Sequence, residues 1–275
     1  MYSGTTIRRG SGKLMGTHQK IDRVARRRLQ AYIPSTVHFP TAREIVSFEG
    51  LNGPDGIKKK SPARDEPWHY IDPTDPDDRQ LLDLIKGHEN NLIAALKEGN
   101  RERAAFEAAW LAHAITDGLT PAHHYPYEEK LAEIRGEDLT TRTTLAKKVI
   151  MPGKNMREKL VNNWEYWKPS GLLTAHGFFE FGVATIAAPR RFTEVKLTRH
   201  DRQKVRKAGS IVPLYLGYVN KIYNMGLYDE FLRTSWTTKL ARRIKNRLIP
   251  EIIHTVLLSW YYCVWRADQD LRNQP

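Results

Sequence analysis

The chain has almost no cysteine, with only Cys263 among 275 residues. Disulfide frameworks and thiolate metal sites within the chain are thereby excluded, so any metal must be held by His and carboxylate side chains. Cys263 itself lies in Trp260-Tyr-Tyr-Cys-Val-Trp265 and reads as a buried small hydrophobe. No run of apolar residues approaches the roughly 18–20 that a membrane span needs. The first thirty residues are rich in Arg and Lys but lack the apolar segment of a secretory signal, so the expectation is a cytoplasmic protein unless a signal has been removed. Alternating strand patterns are nearly absent and no internal repeat is found. Acids are few beside bases, 31 against 44, which leaves a net charge of +13. That excess points to an anionic partner such as nucleic acid, an anionic lipid surface or a phosphorylated substrate, or else to a solubilising surface.

What is present is helical periodicity. Residues 18–31 place Ile21, Val24, Ala25 and Leu29 on one side and arginines on the other. Residues 34–78, rich in Pro, Gly and Asp, read as a long irregular region of the kind that carries function. A helix over 79–98 follows the acidic run Asp75, Asp77 and Asp78 and ends at Gly99. The next, 101–117, is stopped by Gly118 and Pro121. Residues 124–170 are mixed and polar, with a helix near 155–167, and 171–187 form a helix that ends before Pro189. From 186 to 210, eight Lys/Arg stand against two acids, which suggests an exposed basic segment. Residues 209–232, 235–247 and 249–271 read as three further helices. The expected fold is all-α, a single multi-helix bundle over 1–275 with a metal site between helices.

The strongest local signal is His113-Ala-Ile-Thr-Asp117, followed by Pro121-Ala-His123. Positions i and i+4 share a helix face, so an imidazole and a carboxylate there can grip one ion. The break at Gly118 turns His123 back toward them. His176-Gly-Phe-Phe-Glu180 repeats the spacing. Such groups on apolar helix faces are costly to bury unless they are paired or bound to a cation. A hydrogen-bonded core pair would satisfy the same requirement.

The segment Trp110-Leu-Ala-His113-Ala-Ile-Thr-Asp117-Gly-Leu-Thr-Pro121-Ala-His123 resembles the central motif of the zinc-dependent phospholipase C and single-strand-specific nuclease superfamily. Further blocks fall in the same order: Gly16-Thr17-His18 opening a helix, Asp55 in Pro54-Asp55-Gly56, Trp68-His69-Tyr70-Ile71-Asp72-Pro73, and the pair His176 and Glu180. They span residues 16–180, about 60% of the chain. The resemblance implies that Asp55, His69, His113 and Asp117 hold one Zn²⁺ and that His123, His176 and Glu180 hold a second. A third would sit on His18, with Asp117 as bridge. It also implies a metal-activated water attacking phosphorus in line, with Asp55 orienting or deprotonating that water. Two departures stand out. The family's third zinc also takes the amine and carbonyl of an N-terminal Trp, and this chain has no Trp before Trp68, so two zincs are expected more firmly than three. The gap from His123 to His176 is also longer than the family's, so 124–175 reads as an insertion beside the site.

The implied function is a zinc-dependent phosphodiester hydrolase resembling phospholipase C. Its substrate is an anionic phosphodiester, either phospholipid or single-stranded nucleic acid, and peripheral membrane contact is compatible with it. Glu180 and the His69-Tyr-Ile-Asp-Pro segment favour the lipid branch, because the nuclease branch usually has Asp where Glu180 stands. The charge of +13 keeps a nuclease close behind. A third reading is a non-catalytic basic protein that keeps zinc for structure. Of the other candidates, His124 competes with His123 as a ligand and spacing favours His123. His88 and His254 read as core histidines, and His38 and His200 as loop residues. Trp164, Tyr166 and Trp167 read as packing before base stacking or lipid insertion. Arg190, Arg191, Arg199 and Arg202 read equally as substrate attraction or as a solvated face.

Overall fold

The computed structural model describes Met1, residues 16–62 and residues 67–273, and it is all-α. The Gln19 side chain accepts the Gly16 N–H at 2.8 Å and opens α1 (Thr17–Leu29). The 34–78 region is less irregular than its composition suggests. Thr41 and Glu44 form a reciprocal capping box on α2 (Ala42–Val46). Pro54 at the first turn sets α3 (Pro54–Lys60), a position where its missing N–H costs nothing. Both helices are too short for an apolar period to reveal them. α4 (Gln80–Lys97) and α5 (Arg101–Gly118) form a hairpin, with the Asn100 side chain capping α5 through Arg103 N–H at 3.1 Å.

The 124–170 segment contains α6 (Tyr127–Arg135), α7 (Leu145–Val149) and α8 (Met156–Trp167), and α8 packs on α9 (Leu172–Ala187). Tyr127, Leu131, Met151 and Tyr166 form a small apolar cluster of their own here, separate from the main core. The basic stretch after α9 exposes its charges as expected, but it is also anchored. Phe192, Val195, Leu197 and Val205 are buried in the main core, and α10 (Arg199–Lys207) crosses the surface with its basic side out. Its charges mask an amphipathic pattern. The expected 209–232 helix divides into α11 (Val212–Tyr223) and α12 (Leu227–Thr234) at Gly226, whose φ of +57° a side chain would disfavour.

The two final helices are instead one, α13 (Thr238–Arg272). Pro250 reads as a breaker, since it donates no N–H and its ring crowds the carbonyl four residues back. A π turn over Ile244–Leu248 absorbs that conflict and lets the helix run on. By length and composition α13 could cross a membrane, but 78% of its most apolar window is buried inside the protein, with α1 and α4 packed against it. Trp260 is fully buried there and donates its indole N–H to the Ala108 carbonyl at 3.0 Å. Cys263 is buried as well.

Gly118 ends α5 where a β-carbon would collide with the Tyr215 hydroxyl and a Leu81 methyl. Gly118→Ala is expected to lower unfolding stability by about 1–3 kcal/mol through overpacking, read by denaturant titration.

Candidate metal centre

Asp117 is the last residue but one of α5, with its carboxylate buried. Its Oδ2 accepts the His69 Nδ1–H at 2.6 Å and lies 3.1 Å from His113 Nε2. Its Oδ1 lies 3.3 Å from His18 Nε2 and 3.7 Å from His123 Nδ1. Four imidazoles thus meet one carboxylate. His18 comes from the first turn of α1 and stacks on His113 with ring centroids 4.0 Å apart. Asp55 comes from the first turn of α3, 3.9 Å from His113 Nε2. His69 lies in an extended segment tied to the turn Pro121–His124: Ile71 N–H donates to the His123 carbonyl at 3.2 Å, and His123 Nδ1–H donates to the His69 carbonyl at 2.9 Å. His176 and Glu180 project together from α9, 3.1 Å apart.

All eight expected ligands therefore meet, in three groups whose donor atoms lie within 4.8 Å of one another. The groups are Asp55, His69 and His113; His123, His176 and Glu180; and His18, His113 and Asp117. His113 is shared between two groups, whereas the sequence had assigned that sharing to Asp117. His124 turns away, with Nε2–H donating to the Gly118 carbonyl at 2.8 Å. His88 pairs with Glu107 at 2.6 Å, and His254 meets Tyr218 and Asp201. His38 and His200 are exposed.

The donor chemistry suits a cation. Burial pushes His123 down to about 4, so its ring is neutral at pH 7. With Nδ1–H donating to a carbonyl, the bare Nε2 faces Glu180 Oε1 at 3.0 Å, acceptor against acceptor. His69 Nε2 is buried without a hydrogen-bond partner, and His113 Nε2 has only the Asp117 carboxylate near it, 3.1 Å away. Burial would raise the Asp117 carboxyl, but the Met1 α-ammonium and the histidines around it hold it well below the usual range. Glu180 is likewise held low against its burial, by the Met1 ammonium and His176. Asp55 is brought to about 2 despite burial, by His113 and His69. These groups could hold a metal ion, and their N and O donors do not by themselves single out one metal.

Sequence reasoning missed several partners. Glu49 is buried beside the site and accepts the His113 Nδ1–H at 3.1 Å. This is the carboxylate–histidine arrangement that orients a metal-ligating ring. Nothing in the local sequence marks Glu49. Asp22 had a signal, since His18 and Asp22 repeat the i, i+4 spacing on the buried face of α1. Burial, with the Glu49 carboxylate beside it, pushes Asp22 well up. Met1 brings its α-amino nitrogen to 2.9 Å from Asp117 and 3.2 Å from Glu180, and its carbonyl accepts the His18 Nε2–H at 3.0 Å. The groups open on a cavity of about 280 Å³, whose other walls include Lys58, Tyr70, Tyr127, Arg142, Leu145 and Tyr166.

Compared with models of protein families, with curated proteins and with solved structures, the chain matches none. The likeness to a known superfamily is thus carried by the ordered motif residues alone.

Glu49→Ala is expected to weaken metal affinity about 10- to 100-fold, read by chelator competition. A pH effect follows from His113. Burial opposes its charge, but Glu49 and Asp117 prevail and hold it well above the ordinary imidazole range. In the metal-free protein at pH 7 it is therefore protonated, and a cation on its Nε2 must displace that proton. Calorimetry of metal binding in buffers of different ionisation enthalpy is expected to show net proton release at pH 7. The release should shrink as pH rises through the His113 pKa.

Proposed function

We propose that the chain is a zinc-dependent phosphodiester hydrolase resembling phospholipase C. The observation that carries this reading is the convergence of the eight ligand-type residues, in the order the resemblance gives, in three adjoining groups, with six of them, Asp55, His69, Asp117, His123, His176 and Glu180, on the edge of one cavity. The Met1 amine and carbonyl are the two kinds of atom that the resembling family takes from its N-terminal residue, and here they lie at the third group. As the resemblance implies, Asp55, His69, His113 and Asp117 would hold one zinc, His123, His176 and Glu180 a second, and His18 with Asp117 a third, with N and O donors that suit it. When bound, such ions acidify water and neutralise phosphoryl charge.

The chain's own groups supply the rest. The Asp55 side chain is 26% exposed, more than Asp117 or Glu180, so its carboxylate can reach and orient an attacking water. Burial raises Tyr70 and Tyr127, which stay neutral hydroxyl donors beside the cavity. Leu145, Val149 and Leu173 give the cavity an apolar wall.

A lipid substrate is favoured by α8. Met156, Leu160 and Trp164 are 72%, 67% and 64% exposed, and Val161 and Trp167 join them. At about 100° per residue these five fall within an arc of roughly 140° on the side opposite buried Tyr166. The polarity of α8 is inverted, and its neighbours Leu145 and Val149 reach the cavity. Lys154, Arg157 and Lys159 on the same segment are exposed and suit an anionic bilayer surface. By contrast, Arg190, Arg191, Arg199 and Arg202 do not line the cavity, which weakens the nuclease alternative.

Purified protein is expected to contain two or three zincs per chain, and fewer than one refutes the proposal. Zinc-loaded protein is then assayed on phosphatidylcholine vesicles, single-stranded DNA and a chromogenic phosphodiester. Cleavage of the vesicle lipid and the chromogenic ester is expected, with Asp55→Asn keeping most metal and losing most turnover. Preferential DNA cleavage would select the nuclease, and no cleavage at full zinc the binding protein.

A further inference from the structure

Arg142 follows the single turn Leu139–Thr141, to which its backbone N–H is tied through the Leu139 carbonyl at 3.1 Å. It is only 8% exposed, and it lines the same cavity as the metal-ligating groups. Its Nε is buried without a hydrogen-bond partner. Among the described residues no carboxylate lies within ion-pair distance of its guanidinium. Arg135, 4% exposed in the same segment and with its Nε also unpartnered, has its terminal nitrogens met: they donate to the Lys147 carbonyl, the Glu137 carboxylate and the Thr141 hydroxyl, whereas among the described residues no such partner meets those of Arg142. Burying a guanidinium without an anion is costly, and such charges are kept where something answers them.

The neighbouring groups narrow what that is. Lys58 lines the cavity with its ammonium 5.6 Å from the Tyr70 ring centroid. The Lys148 ammonium donates to the Lys58 and Ser61 carbonyls. Among the described residues Glu128 is the one acid on this wall, the other carboxylates of the cavity being the expected ligands Asp55, Asp117 and Glu180. A guanidinium presents paired N–H donors at the spacing of phosphoryl oxygens. We infer that Arg142 forms an anion subsite that binds the non-bridging oxygens of the substrate's phosphoryl group in the cavity shared with the metal-ligating residues. This rests on the phosphodiester reading above and makes the 124–171 segment part of the binding site.

The test is calorimetric binding of inorganic phosphate, dimethyl phosphate and uncharged trimethyl phosphate to the full chain at low, fixed ionic strength. Zinc content and circular dichroism are measured in parallel. Wild type is expected to bind both anions and not the neutral ester. Arg142→Gln should weaken both anions about 10- to 100-fold at unchanged zinc content. Arg142→Lys, which keeps the charge without the paired donors, should fall between and covers the case in which the glutamine variant does not fold. Affinities within twofold of wild type in the folded variants overturn the inference, and a response confined to inorganic phosphate overturns the assignment to a diester. Absence of zinc would count against the hydrolase instead. The same titration on metal-free protein still reads the subsite, since loss of anion binding in Arg142→Gln supports it and equal or no binding refutes it.

Discussion

The Asp117 carboxylate is withdrawn from water almost completely, and an ion in that position costs several kcal/mol unless other charges and donors meet it. Much of the molecule's arrangement answers this requirement. α1 supplies His18, the extended segment beside Ile71 supplies His69, α5 itself supplies His113, and the turn at Pro121 returns His123. Gly118 lets Tyr215 press against the end of α5, so the carboxylate is fixed by packing from below as well as by imidazoles from above. The group is assembled by elements far apart in sequence that pack together, and not by ligands close in sequence.

Parts of the centre were legible because helical spacing is local information. His113 with Asp117, and His176 with Glu180, each declare a shared face four residues apart, and Pro121 declares the turn that returns His123. Glu49, Lys58 and Arg142 carry no such mark, since each reaches the site from a short or irregular segment whose direction only tertiary packing decides. The fold shows the same division. The long helices α4, α5 and α9 lie within a residue or two of where the sequence pattern puts them. The break expected near Pro250 is absent, because a π turn spreads the proline conflict over a full turn. The strap after α9 turns its charges outward, as its composition suggests, and its few apolar residues, spaced among those charges, anchor it to the core.

Charge is divided within the cavity. One side carries carboxylates and imidazoles with unsatisfied nitrogens, and Lys58 and Arg142 lie on its walls. A small phosphodiester has the matching polarity, with an anionic phosphoryl group between ester arms. The net charge of +13 adds a general pull on anions, but the cavity-lining groups are the ones that can place a single phosphate.

The segment from Tyr127 to Trp167 has its own small apolar cluster, while the ligand-bearing helices share the large core around Trp260. Local opening costs follow the amount of apolar packing that is lost. The two walls of the cavity therefore belong to units of unequal strength. The lobe can loosen at less cost than the helices of the large core, so the pocket can widen from that side to admit or release a bulky molecule. Durability belongs to the centre and adaptability to its cover.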